Sequence, residues 1–184
     1  MPPSYHKRGR YIAGVPNVSS FPPVADPNAR VLILGSMPGA ASLAAQRYYA
    51  HPRNAFWPIL AELCGFAPEL AYPERLRELR RAGVALWDVL QSCARAGSLD
   101  SDIEPASIRV NDFARFFADH PAIAAVFCNG GTAYRLFERR VRPSLRPPHR
   151  DLPAAQLPST SPAHARLDLA GKRELWREHL APWL

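Results

Sequence analysis

Arg30-Val31-Leu32-Ile33-Leu34-Gly35-Ser36-Met37-Pro38-Gly39 is the stretch from which the fold can be read. Val31–Leu34 is an unbroken aliphatic run with no polar alternation. That pattern predicts a strand covered on both faces, as in a parallel sheet. Gly35 ends the run. The turn that follows holds two glycines, which let the backbone come close to a ligand, and Pro38, which stiffens it. It is not a phosphate loop: no Gly-Lys-Ser/Thr follows, and the glycine spacing is not that of a dinucleotide fingerprint.

Working outward, Val84–Val89 reads as a second strand and Ile123–Cys128 as a third, the latter ended by Asn129-Gly130-Gly131. Ala155–Pro158 reads as a short fourth. Between them the apolar spacing is helical from Pro58 to Cys64, from about Pro73 to Ala82 (closed by Gly83), from an Asn111 N-cap to about Asp119, from Thr132 to Arg140, and from Lys172 to Leu180. Residues 92–106 read as a loop or broken turn, and 142–153, dense in proline and arginine, as a loop. Residues 1–29 read as an irregular arm leading into one catalytic domain over 30–184. Strands alternating with helices predict a single-domain, three-layer α/β/α fold with a central, mostly parallel four-stranded sheet. Ligands of such folds sit beyond the carboxyl ends of the strands. Here those ends are Gly35–Gly39, Asp88, Asn129–Gly131 and Ser159–Pro162, which converge on one cleft.

With 184 residues, 47 % of them apolar, the chain is long enough for one core and too apolar for wholesale disorder. Val31–Leu34 is far short of a membrane span, and no apolar segment follows the basic N-terminus, so the expected location is the cytoplasm. Cys64, Cys93 and Cys128 are far apart and odd in number. They predict neither a disulfide framework nor a four-cysteine zinc or iron–sulfur site, only buried or indifferent thiols. No metal and no cofactor is expected. The net charge is +7, carried almost wholly by arginine, with Lys7 and Lys172 the only lysines. Arginine forks match phosphate oxygens, although a GC-rich genome produces the same bias. Arg135, Arg139, Arg140, Arg142, Arg146 and Arg150 form the densest basic stretch, read either as a DNA-backbone contact or as a solvated face.

A second segment, Tyr48-Tyr49-Ala50-His51-Pro52-Arg53-Asn54-Ala55-Phe56-Trp57, gathers four aromatics, a histidine, an arginine and an amide. An aromatic face suits stacking on a flipped base, and an amide both donates to and accepts from a base edge or a water. Phe56 and Trp57 also fit the start of a core helix.

These two segments, together with Leu157-Pro158-Ser159-Thr160-Ser161-Pro162-Ala163, resemble the hypoxanthine-DNA (deoxyinosine) glycosylase branch of the uracil-DNA glycosylase superfamily, in outline over roughly residues 28–184. The resemblance implies a monofunctional glycosylase that flips a deaminated base out of DNA and hydrolyses its N-glycosidic bond. It implies that Gly35, Ser36, Met37, Pro38 and Gly39 form the turn beside the sugar. Many relatives hold a catalytic Asn or Asp at the position of Met37, and a thioether cannot orient or deprotonate water. In the hypoxanthine branch the essential amide is that of Asn54. Tyr49 falls where relatives stack an aromatic on the base, and Ser159, Thr160, Ser161, Pro162 and Ala163 fall in the loop that enters the minor groove. Leu157 replaces the His or Asn that many relatives use to stabilise the leaving base. Mismatch-directed uracil glycosylases share related segments.

Base selectivity follows from hydrogen-bond polarity. Hypoxanthine presents an oxo acceptor at C6 and an N1–H donor, the reverse of adenine. Asp88 is placed to accept from N1–H, and Asn129 or a turn N–H to donate to O6. Asp88 could equally cap a turn or pair with an arginine, and Asn129 could serve the turn itself. His51 and Arg53 could contact phosphate or brace their loop. The expected partner is DNA containing a deaminated base, bound by a monomer away from any membrane. The competing readings are a uracil- or mismatch-specific glycosylase and a non-catalytic nucleic-acid-binding module of the same fold.

Overall fold

The computed structural model describes residues 14–184. The first part of the expected arm, with Lys7, lies outside the described residues. In chain order the elements are β1 (Asn17–Ser19), β2 (Val31–Gly35), α1 (Ala40–Ala45), α2 (Phe56–Cys64), α3 (Tyr72–Arg81), β3 (Val84–Asp88), β4 (Leu90–Ala94), β5 (Arg109–Val110), α4 (Phe113–Asp119), β6 (Ala125–Asn129), α5 (Gly131–Leu136), β7 (Ala154–Leu157) and α6 (Leu169–Leu180).

The aliphatic run behaves as its pattern requires. β2 is buried along its whole length and lies inside a wholly parallel sheet of order β3-β2-β6-β7. Its side chains divide between two layers. Val31 and Ile33 pack with Phe56, Ile59, Leu60, Leu79 and Trp176 on one face. Leu32 and Leu34 pack with Phe113, Phe116, Phe117 and Phe137 on the other. Each such side chain, fully buried, contributes about 1.5–3 kcal/mol. The result is the expected three-layer arrangement, with every strand's carboxyl end at one pole.

The segment expected to be a loop is partly a strand. β4 leaves β3 after Val89 alone and joins β1 and β5 in a second, antiparallel three-stranded sheet. Its sequence, Leu-Gln-Ser-Cys-Ala, has little strand character. It becomes a strand because β1, more than seventy positions earlier, supplies the hydrogen bonds, as Cys93 opposite Val18 illustrates. The arm is likewise tied in: Val24 bridges Leu86. Asn111 does not cap α4. That role falls to Asp112, whose carboxylate accepts from the Arg115 N–H at 3.0 Å, while Asn111 is buried and donates to the Asp88 carbonyl at 2.8 Å. α6 begins three residues earlier than its apolar spacing suggests, because the Asp168 carboxylate accepts from the Gly171 N–H and caps it there. Cys93 and Cys128 are buried and Cys64 partly so. Burial pushes the Cys64 and Cys128 thiols up to about 12.

Candidate active site

The carboxyl ends of β2, β3 and β6 and the loop after β7 enclose a cleft of about 630 Å³, within the range of small-ligand sites. Gly35 stands at its base for a steric reason. A Cβ there would lie 2.3 Å from Asp88 Oδ1 and 3.1 Å from the Tyr49 hydroxyl, so no side chain fits. Beyond it, Met37 is 6 % exposed and packs into the core layer of Leu34 and Val89. Ser36 donates to Asp100 at 2.6 Å, and the Ala40 N–H donates to Ser98 Oγ at 3.0 Å. The turn is thus braced by the 95–108 segment.

That segment supplies two residues that sequence reasoning missed. Arg95 is 1 % exposed and donates to the Pro38 carbonyl. Its Nε and Nη1 have no hydrogen-bond partner among the described residues. Asp100 lines the cleft and holds the Ser36 hydroxyl. Both lie close enough to Asp88 to act on its charge. Asp88 is 3 % exposed, and its Oδ2 has no partner among the described residues. Burial first, and then the like charge of Asp100, push its carboxyl up to about 8 against the opposing pull of Arg95. Only the backbone path of β4 brings Arg95 and Asp100 here, and nothing in the local sequence signals it.

Tyr49, with φ 54°, is a non-glycine residue in the left-handed region. Its ring stacks on Phe56 at 3.9 Å and 17°, and its hydroxyl is buried without a partner among the described residues. Burial and the nearby Asp88 raise the hydroxyl's pKa, so it stays protonated. Phe56 and Trp57 are core residues, as their helical alternative anticipated. Asn54 lines the cleft, and its Oδ1 accepts from the Phe56 N–H at 3.0 Å, starting α2. One lone pair of Oδ1 is thereby used, leaving the second and the amide NH₂. His51 lines the cleft and accepts from the Arg53 N–H through Nδ1 at 3.1 Å, whereas the exposed Arg53 does not line it.

The loop after β7 is fastened at five points. The Ala55 N–H donates to the Thr160 carbonyl at 3.0 Å. The Asn129 amide donates to Thr160 Oγ1, and its oxygen accepts from the Thr160 N–H, both at 2.8 Å. From α6, Lys172 Nζ donates to the Ser161 carbonyl at 3.1 Å and Trp176 Nε1 to the Pro158 carbonyl at 2.9 Å. Within the loop, Ser159 and Ser161 accept from the N–H groups of Ser161 and Ala163. Asn129 therefore serves this loop rather than its own turn. Gly130, with φ 98°, lets Ser159 pack against it. Pro162, Ala163 and His164 also line the cleft, and Leu157 is fully buried in the core.

The basic stretch lies elsewhere than its place in the sequence suggests. α5 starts at the cleft pole and runs away from it, and the 142–153 connection enters β7 at the opposite end of the sheet, where Val126 pairs with Ala154. The four residues of β7 separate that connection from the 159–163 loop by about 13 Å. Arg142 is spent on Glu138 and on the Arg150 and Leu152 carbonyls, and Arg150 on the Leu145 and Pro143 carbonyls. Exposed arginines on segments that border the cleft include Arg47, Arg53 and Arg166, and the exposed Arg135 turns its guanidinium back to Gly131 and Thr132 at the start of α5. Among the described residues, no group of three or more His, Cys, Asp or Glu could hold a metal ion.

Residues 22–183 match the family described as the uracil DNA glycosylase superfamily. Two curated proteins named hypoxanthine DNA glycosylase are similar to the chain. The one from Methanosarcina barkeri is 39 % identical over 111 residues, covering 60 % of this chain and 69 % of the relative. The one from Methanosarcina acetivorans is 37 % identical over 114 residues, covering 61 % and 71 %. A solution NMR structure of a Methanosarcina acetivorans protein, provisionally named a uracil DNA glycosylase, is similar with a TM-score of 0.71 and 30 % identity over 88 % of this chain and 98 % of that one.

Proposed function

The chain belongs to the uracil DNA glycosylase superfamily, and from that premise we propose that it excises a deaminated base from DNA, hypoxanthine before uracil or xanthine. The N-glycosidic bond is hydrolysed and an abasic site is left, the first step of base excision repair. The observation that carries this reading is the meeting of Asn54, Tyr49 and Asp88 in one cleft at the carboxyl ends of the strands. The names of the two Methanosarcina relatives support hypoxanthine as the base. Uracil shares the oxo/N–H edge and is the second substrate.

Breaking the bond builds positive charge on the sugar and negative charge on the base, so the site must position water at C1′, provide donors to the base and exclude bulk solvent. Met37 lines the cleft from the core layer, and its thioether borders the base without orienting or activating water. Asn54, with its NH₂ and one lone pair free, positions the water or the base. Tyr49, braced from behind by Phe56, stacks on the flipped base. Asp88 meets the base edge. Gly35, Ser36, Pro38 and Gly39 bring main chain close to the sugar. The 159–163 loop enters the minor groove and holds the duplex open, with Asn129 as its anchor. His51, Arg53 and Arg166 lie on the segments that meet phosphate. The protein acts on DNA as a cytoplasmic monomer. No helix among the described residues is long and apolar enough to cross a membrane.

The test is single-turnover release of base from duplexes carrying hypoxanthine, uracil, xanthine or adenine, read as alkali-labile abasic sites. Hypoxanthine is expected to be released fastest and adenine not at all. Asn54→Ala should slow release by on the order of 10². Asn54→Asp keeps the oxygen that starts α2, so a loss shared by both variants assigns the role to the amide NH₂. No release from any duplex would refute the proposal.

A further inference from the structure

We propose that Asp88 is the general acid of this cleft: it hands its proton to the base as the glycosidic bond breaks. The inference rests on the excision reading above and assigns the step that reading leaves open, the neutralisation of the departing base.

The geometry carries it. A buried carboxyl group that stays ionised needs donors or a cation bonded to it. Asp88 is 3 % exposed, its Oδ2 has no partner among the described residues, and its Oδ1 fills the space that a side chain on Gly35 would take. The groups around it explain why. Arg95 donates to the Pro38 carbonyl and makes no hydrogen bond to Asp88; its Nε and Nη1 have no partner among the described residues, and its charge opposes the upward push on Asp88 without cancelling it. Asp100, only partly buried, accepts from the Ser36 hydroxyl at 2.6 Å and places a like charge beside Asp88. Tyr48 turns its hydroxyl to the Phe21 and Pro22 carbonyls, and the Tyr49 hydroxyl stays protonated. Of the cleft histidines, His51 is engaged with the Arg53 N–H and His164 sits in the far loop. Two carboxyl groups near one another in a dry site cannot both ionise readily, and the more buried one keeps its proton. Asp88 is pushed up to about 8 accordingly.

A protonated carboxyl with no acceptor among the described residues is placed to give its proton to what enters the cleft. Leu157, across the sheet, offers the base nothing, because it is wholly buried. The step balances. The C1′–N9 bond breaks with its electron pair passing to the purine, and the Asp88 proton joins the purine, which leaves neutral. The water oxygen bonds to C1′ and releases one proton to solvent, and one proton from solvent restores Asp88. A matched acid contributes on the order of 10²–10⁴ in rate.

Single-turnover excision from the hypoxanthine duplex, followed from about pH 5.5 to about pH 10, tests this. The wild-type rate is expected to fall about tenfold per pH unit above about pH 8. Asp88→Asn should be slower by on the order of 10² at neutral pH and should lose the descending limb. A duplex carrying 5-fluorouracil, whose anion leaves more readily, should lose much less on substitution than one carrying uracil. A flat wild-type profile, a descending limb that persists in Asp88→Asn, or an Asp88→Asn rate within roughly threefold of wild type would overturn the assignment while leaving the excision reading intact. Should the variant fail to fold, the wild-type profile and the leaving-group comparison decide alone. Absence of release at every pH would overturn both.

Discussion

Replacing Asn129 should loosen the cleft's far wall and destabilise the whole protein. Its side chain makes two hydrogen bonds to Thr160, each 2.8 Å, and Thr160 is 1 % exposed. Asn129→Ala removes both bonds, each a net contribution of about 1 kcal/mol, and leaves a buried N–H without an acceptor, which costs a further ~1–3 kcal/mol. The expected loss is about 3–5 kcal/mol, or a fall of roughly 6–20 °C in Tm for a domain of this size. Thr160→Val keeps the N–H bond and loses only the hydroxyl, so it should cost about 1 kcal/mol. Asn129→Asp should be milder than Asn129→Ala, because the Thr160 hydroxyl can rotate to donate to a carboxylate and the N–H keeps its acceptor. Urea unfolding of wild type, the two single variants Asn129→Ala and Thr160→Val, and the double variant gives the coupling energy, expected near 1 kcal/mol. A cost below about 0.5 kcal/mol for Asn129→Ala, or an Asn129→Asp variant as damaged as Asn129→Ala, would show that the clamp does not hold the loop.

Tyr49→Phe should leave binding to the lesion duplex nearly unchanged, since the hydroxyl has no partner among the described residues, whereas Tyr49→Ala should lose about 1–3 kcal/mol of binding in a fluorescence titration. In the same assay, Arg53→Ala with Arg166→Ala should reduce the slope of log K against log salt by roughly two units, while Arg139→Ala with Arg140→Ala, placed toward the opposite pole, should leave it unchanged. Asp88 also sets a pH dependence of stability. Its folded-state pKa of about 8 lies above the ordinary 3.8, so the native protein binds the extra proton between those values and stability falls as pH rises through that window. Asp88→Asn should therefore raise Tm more at about pH 8.5 than at about pH 5, and an equal effect at both would place the group's titration elsewhere.

What could be read from the sequence was what local pattern determines. The run Val31–Leu34 and the punctuating glycines placed the four parallel strands within two residues and put Gly35, Asp88 and Asn129 at one pole, because burial on both faces leaves a signature in each strand alone. Resemblance added Asn54 and Tyr49, and they do face the same cleft. The buried charges did not show. Arg95 and Asp100 reach Asp88 only because β4 pairs with β1, a non-local contact with no local pattern. Lys172 and Trp176 read as members of an amphipathic helix, whereas their polar atoms are committed to the loop eleven and eighteen residues earlier. The arginine cluster divides in a way that its sequence does not show: Arg135 lies by Gly131 at the cleft pole, whereas β7 separates residues 142–153 from residue 159.

The five fastenings of the 159–163 loop impose an order on the birth of the protein. Its anchors lie at Ala55, Asn129, Lys172 and Trp176, so the loop cannot take its shape until nearly all of this sequence has been synthesised. β2, β3 and β6 have their partners well before that, at a synthesis rate of roughly 5–20 residues per second. A nascent chain can thus hold a paired sheet and a formed Gly35 turn while its 159–163 loop is still slack. The shape of the loop thus waits on the docking of α6, which follows it in the chain.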